Sequence, residues 1–295
     1  MDLESALKKA AYKIWKEMAP VRNTADINIF QVREEGLTSM MLKKLANSEC
    51  DQITRMLMIG GTLENVRGYD LELCIGSEIN GEYVRYLIQA KRLYGSSLNS
   101  RYTTTNNQQI TTLQNYAKRP DVNAIPLFAL YNHLEVNGST LEGYYNSITM
   151  FDKKAMGITL TTTTKMNIDH SFEAIHNANR PYFRYPLYRY HPNDLFFYND
   201  NMQTGVPFHE LAYFTIAKAK EYNRIHLANQ AQNVAGFFFF FGKFLFGEGD
   251  DLIPILKNTN KEELTTSFRN RYEQNSNSPF NPGTLIIMDT NEGKE

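Results

Sequence analysis

The chain has 295 residues, 42% of them hydrophobic, and 31 basic against 32 acidic side chains. This is ample apolar material for a packed core, while a formal charge of −1 excludes a global basic field, so any polyanion site must be a local patch. Cys50 and Cys74 are the only cysteines and form no CxxC pair, which argues against a disulfide framework or a thiolate zinc site and fits a cytosolic protein.

Two helical patterns come first. Residues 3–18 are amphipathic and charged, without the continuous apolar segment of a secretory signal. Residues 30–46 repeat Leu37, Met41 and Leu45 at helical spacing. A strand, ITRMLMIG, then closes at Gly60-Gly61. YDLELCIG (69–76) and EYVRYLIQA (82–90) read as strands on either side of Asn80-Gly81, the strongest short hairpin signal. A Ser/Thr/Asn-rich loop at 95–107 leads to a helix, QQITTLQNYAKR, that stops before Pro120. AIPLFALYN (124–132) is an apolar run bounded by turn residues, the pattern of a fully buried strand.

Further on, ITLTTTTK (158–165) reads as a strand, 208–236 as a long helix and GTLIIMDT (283–290) as a last strand. The apolar run 234–246 is too short to span a bilayer and carries Lys243. It reads as a buried element, with a partner-binding or membrane-touching patch as the alternative, and it leaves dimerisation open. The six histidines show no HExxH spacing, and no phosphate-binding glycine loop is present. Residues 179–200 interleave Arg180, Arg184 and Arg189 with aromatics. Core packing accounts for such a segment, and a single-stranded nucleic-acid platform is the alternative.

The hairpin carries the chemistry. A two-residue loop at Asn80-Gly81 places Glu72 opposite Gln89 and Asp70 opposite Lys91. One face then collects Asp70, Glu72, Gln89 and Lys91, and the other collects Leu71, Leu73, Ile75, Tyr86, Ile88 and Ala90. A solvated cross-strand ion pair is the plain explanation of the polar face. The functional one is a hard-cation site. Asp70 and Glu72 would supply carboxylates, Gln89 an amide oxygen and Ala90 its main-chain carbonyl. Lys91 would orient a water or stabilise charge on a phosphate.

GYDLE, followed one hairpin later by IQAK, resembles the core of the PD-(D/E)xK restriction-endonuclease-like superfamily. The Gln-x-Lys version is similar to the Mrr-type enzymes. A closer similarity is to a bacterial family of nuclease-like proteins. Its blocks match REEGLT (33–38), ENVRGYDLE (64–72), QAKRL (89–93), QITTLQNYA (109–117) and PLFALYN (126–132).

The resemblance covers about residues 30–165. It implies an α/β core of helix, three-stranded meander, helix and strand with a mixed sheet. An N-terminal helix (1–29) would precede this core, and a partly helical C-terminal extension (166–295) would pack on it. It also implies a nuclease that uses Mg²⁺ or Mn²⁺ on DNA, with RNA open, in bacterial defence, alone, as a homodimer or with a partner protein. An inactive nucleic-acid-binding subunit of a defence or toxin complex is the alternative.

Asp70 matches the metal-binding Asp, Gln89 stands where an acid is usual, and Lys91 matches the catalytic Lys. Glu34, in line with Leu37, Met41 and Leu45, is preferred over Glu35 as the acid of the first core helix. Gln109 would point into the site from the following helix, or sit half-exposed on it. Tyr131 and Asn132 end the next strand, where ligands gather in α/β sheets, or simply cap it. Arg92, Arg101, Lys118 and Arg119 lie near the site by sequence and are the candidates for phosphate contacts.

Overall fold

The computed structural model describes residues 1–18, 32–59, 68–94, 101–102, 107–131, 153–163, 206–227, 252–273 and 283–290. The run 234–246, the Arg/aromatic segment 179–200 and Asn132 lie outside the described residues. Among the described residues no helix is long and apolar enough to cross a membrane.

The fold is α/β with a mixed sheet. Helix α1 (Leu3–Glu17) starts where the Asp2 carboxylate accepts the Ser5 N–H at 2.7 Å, and it buries Leu3, Ala6, Leu7, Ala10, Ala11 and Ile14. Helix α2 (Glu34–Ala46) buries Leu37, Met41, Leu42 and Leu45. Its first turn carries Glu34 and Glu35, whose charges suit a helix N-terminus.

The strands are β1 (Ile53–Ile59), β2 (Leu71–Ser77), β3 (Glu82–Tyr94), β4 (Arg101–Tyr102), β5 (Ile125–Tyr131), β6 (Ile158–Thr162), β7 (Val206–Pro207), β8 (Ile255–Leu256) and β9 (Gly283–Asp289). The main order is β1-β9-β2-β3-β5-β6-β7, with β4 and β8 paired to β3. β2–β9 and β3–β5 are parallel, and the other pairs are antiparallel.

Alternation along the strands builds two cores. Leu71, Leu73, Ile75, Tyr86, Ile88 and Ala90 face α1 and α2, as the sequence pattern requires. On the reverse face, Leu87, Phe128 and Leu130 pack under α3 (Asn107–Ala117). Cys74, Tyr83, Leu285 and Ile287 pack under α5 (Lys261–Glu273). Burial pushes the Cys74 thiol up to about 12.

Two expectations change. The three core strands are consecutive in the chain but are not a meander, because β9 lies between β1 and β2. The segment expected to pack on the core as an extension thus supplies one of its inner strands. The long helix over 208–236 is instead a 3-10 turn (Phe208–Tyr213) followed by α4 (Ile216–Leu227). The Thr215 hydroxyl accepts the Lys218 N–H at 3.1 Å, which begins a new helix there; residues 228–236 lie outside the described residues.

Candidate functional site

The site lies at the start of β2, past which β3 continues. The β2–β3 register pairs Ser77 with Glu82 and Leu71 with Ile88, so the turn is Glu78–Gly81, four residues rather than two. Glu78 is drawn away from the ribbon, accepting from the Tyr83 hydroxyl at 2.6 Å and from the Lys261 N–H of α5 at 3.1 Å. Gly81 takes φ +61, a conformation glycine supplies at little cost. The register moves by two residues from the expected one. A slip of two keeps every side chain on its face but changes its partner. Gln89 therefore meets Asp70, and Glu72 lies opposite Leu87.

Gly68, Tyr69 and Asp70 each have a distinct part. Gly68 has φ +73, and a Cβ there would come within 3.0 Å of the Leu113 main-chain nitrogen, so α3 crosses this backbone closely. Tyr69 is buried with its ring 5.6 Å from that of Tyr116 on α3. Asp70, fixed by these neighbours, donates its N–H to the Ile88 carbonyl at 3.0 Å. Its Oδ2 accepts the Ala90 N–H at 2.7 Å and the Gln89 amide at 2.6 Å.

β3 outruns β2 here, so its edge N–H groups need other acceptors. The Asp70 carboxylate takes that of Ala90. Two residues on, the Glu34 carboxylate takes that of Arg92 at 3.0 Å. Glu34 is half-buried and Glu35 exposed, so the geometry favours the residue preferred from sequence.

Lys91 is 3% exposed, and among the described residues its hydrogen-bond acceptor is a neutral one, the Gln109 amide oxygen at 3.3 Å. Burying an ammonium against a neutral amide is costly relative to water. A surface ion-pair scaffold would leave Lys91 exposed and Glu34 remote from this strand, and neither is so. Gln109, half-buried at the start of α3, is thus brought to the site.

Four expected site residues have side chains placed elsewhere. Glu72 is fully buried under α5, accepting from Arg271 Nη2 at 2.6 and 2.7 Å, with Arg85 Nε 3.0 Å away. Both its oxygens are engaged by guanidinium groups, so its charge is committed under α5 rather than at the fork. Burial opposes the Arg271 charge, but Glu72, with Tyr69 and Tyr116 adding to it, outweighs this and the Arg271 pKa is raised.

Arg92 is 6% exposed, on the opposite face from Lys91, and donates to the Val32 carbonyl at 2.6 Å, where it holds the approach to α2. Lys118 and Arg119 follow the far end of α3, about 14 Å along the helix from Gln109 at 1.5 Å per residue. Arg119 is paired there with Asp121. Their sequence distance from the site misleads because the helix runs away from it. Arg101 is described only in its backbone, pairing with Tyr94 beyond the site.

By sequence, Tyr131 is a strand-end ligand or cap. It is buried, with its hydroxyl 2.7 Å from Thr38 Oγ1. Burial raises its pKa. The Thr38 bond acts against this, and the nearby charges of Asp70 and Glu34 add to it. Arg271 and Thr38 were missed from sequence. Arg271 lies in no motif and Thr38 closes the REEGLT block without a polar role visible there; each acts through contacts distant in the chain.

The donor set can be tested against a divalent cation. The Gln89 Nε2 lies 2.6 Å from Asp70 Oδ2 and 3.3 Å from the Ala90 carbonyl oxygen, so one donor atom sits between two oxygens. Half a turn of the amide would present an oxygen there as well. Among the described residues no group of three or more His, Cys, Asp or Glu could hold a metal. Beside Asp70, the Gln89 amide oxygen and the Ala90 carbonyl are the further oxygens a hard cation would take there.

A sequence model described as Family of unknown function (DUF6615) matches residues 3–185, more than half the chain and including every residue of the β2–β3 fork. No curated protein matches the chain.

Proposed function

The chain belongs to the DUF6615 family, a family of unknown function, and we propose that it is a divalent-metal-dependent nuclease acting at the β2–β3 fork. The observation that carries this reading is Lys91, a buried ammonium held by a neutral amide on the same strand face as Gln89, which binds Asp70. Asp70, the Gln89 amide oxygen and the Ala90 carbonyl would hold the cation. When bound, it would supply a Lewis acid and an acidified water to a phosphodiester. Lys91 offsets charge developing on the phosphate or orients the attacking water, and Gln109 fixes the direction of its ammonium. Glu34 brings a second carboxylate to the same strand edge. DNA as substrate and a role in bacterial defence rest on the resemblance of the REEGLT, GYDLE and QAKRL blocks.

A second reading has its own support. Gln89 replaces an acid, and Glu72 is committed to Arg271 and Arg85, which leaves Asp70 as the one carboxylate at the proposed cation position among the described residues. A nucleic-acid-binding subunit that no longer hydrolyses fits that loss of charge.

Supercoiled plasmid and single-stranded DNA, incubated with Mg²⁺, Mn²⁺ or EDTA, separate the two. Nicking that needs the metal and falls at least about a hundredfold in Lys91→Ala is expected. Binding without cleavage by the wild type would favour the second reading. Cleavage surviving in Lys91→Ala would remove the site from this hairpin.

A further inference from the structure

Glu34 reaches the fork only if the first turn of α2 is held against the sheet, and the N-cap Arg33 supplies no side-chain bond to do this. The holding contacts come from elsewhere. Thr38 Oγ1 donates to the Glu34 carbonyl one turn back at 3.0 Å, and it also lies 2.7 Å from the Tyr131 hydroxyl. A threonine hydroxyl has one proton. If that proton serves the Glu34 carbonyl, the Tyr131 O–H must be the donor to Thr38. The reverse order would give up the bond to Glu34. The arrangement therefore has a direction: β5 donates to α2 through Tyr131, Thr38 donates to the main chain of Glu34, and the Glu34 carboxylate accepts the Arg92 N–H of β3.

We propose that Tyr131 is a positioning residue: its hydroxyl, acting through Thr38, fixes the first turn of α2 so that Glu34 stays on the β3 edge two residues beyond the Asp70 contact. The value of this placement for catalysis rests on the nuclease reading, but the placement itself does not. Tyr131 is 1% exposed and Thr38 9%, so substrate does not reach either hydroxyl directly. A buried hydroxyl pair that touches no ligand yet sets a carboxylate is a supporting contact of the kind that tunes a site.

Amide hydrogen exchange at Arg92 and Ala90 tests the proposal without any activity. In Tyr131→Phe, the Arg92 amide is expected to exchange about tenfold faster, because a buried hydrogen bond has been removed, while the Ala90 amide, held by Asp70, is unchanged. Thr38→Val should reproduce this, Thr38→Ser should restore wild-type protection, and the double variant should add nothing to either single one. Equal acceleration at both amides would mean general loosening of the fold and would overturn the proposal. So would unchanged Arg92 exchange in Tyr131→Phe. If the wild type cuts DNA, Tyr131→Phe should lower kcat about tenfold with KM unchanged. If the wild type does not cut DNA, the nuclease reading fails, and the exchange experiment alone decides the role of Tyr131.

Discussion

Asp70 and Glu72 stand two residues apart on one side of the β2–β3 ribbon, and nothing local distinguishes them. Asp70, at the mouth of the fork, is half-buried and accepts from a main-chain N–H and a neutral amide. Glu72, one step inward, is sealed under α5 between two guanidinium groups. The first carboxylate accepts from a main-chain N–H and a neutral amide at the fork, and the second spends its charge on holding α5 to the sheet. What a carboxylate can do is therefore set by which cations fold onto it. For Glu72 the principal cation comes from Arg271, 199 residues away.

The comparison can be broken at its strongest point first. Glu72→Gln leaves Arg85 and Arg271 without their counter-charge and should destabilise the fold by about 3–5 kcal/mol in denaturant unfolding. Cleavage per folded molecule should change little. Asp70→Asn should do the opposite, costing about 1 kcal/mol of stability or less and nearly all metal-dependent cleavage. If Glu72→Gln proves nearly neutral to stability and abolishes cleavage, the two assignments are exchanged.

A smaller effect is expected at Gly68. Alanine there must adopt φ +73 and press its Cβ toward the Leu113 nitrogen of α3. The expected cost is about 1–3 kcal/mol, read as a lower Tm. A neutral Gly68→Ala would mean that the segment leading into Asp70 is not clamped by α3.

The smallest effect is a pH slope from the interior. Burial raises the folded-state pKa of Cys74 from 9.0 to about 12, with Arg85 acting against the shift and Glu72 adding to it. The unfolded thiol ionises first, so its contribution is fully present below pH 9 and is lost as pH rises toward 12. Between pH 9 and 10, unfolding free energy should fall by about 1 kcal/mol from this group. Cys74→Ala should flatten that slope.

Much of this fold was legible in the chain. The strands around Asn80-Gly81, the helix ending before Pro120 and the buried strand at 125–131 follow from periodicity and turn residues. The polar and apolar faces of the ribbon survived a wrong register because the slip was even. Asp70, Gln89, Lys91, Glu34 and Gln109 come together through elements adjacent in the chain, so local pattern could find them. Glu72 could not be separated from Asp70 because its partner lies on a helix 199 residues on. Arg92 looked accessible beside Lys91, but alternation along β3 turns it to the other face, against the Val32 carbonyl. The place of β9 was hidden for the same reason as Arg271: its strand character is local, and its neighbours are not.

That place has a consequence for how the protein is made. β2 pairs with β9 from Leu71–Thr284 to Gly76–Asp289, and β9 also joins β1 to the rest of the sheet. A ribosome that has released the whole of residues 3–185 has therefore emitted every residue of the fork, but not the strand that stitches β1 to β2. Closing that sheet waits on a contact of very high sequence separation, the slowest kind to form. Fragments trimmed to the family boundary should emerge as insoluble, protease-sensitive chains, and longer chains should gain protection only once residues 283–289 have been synthesised.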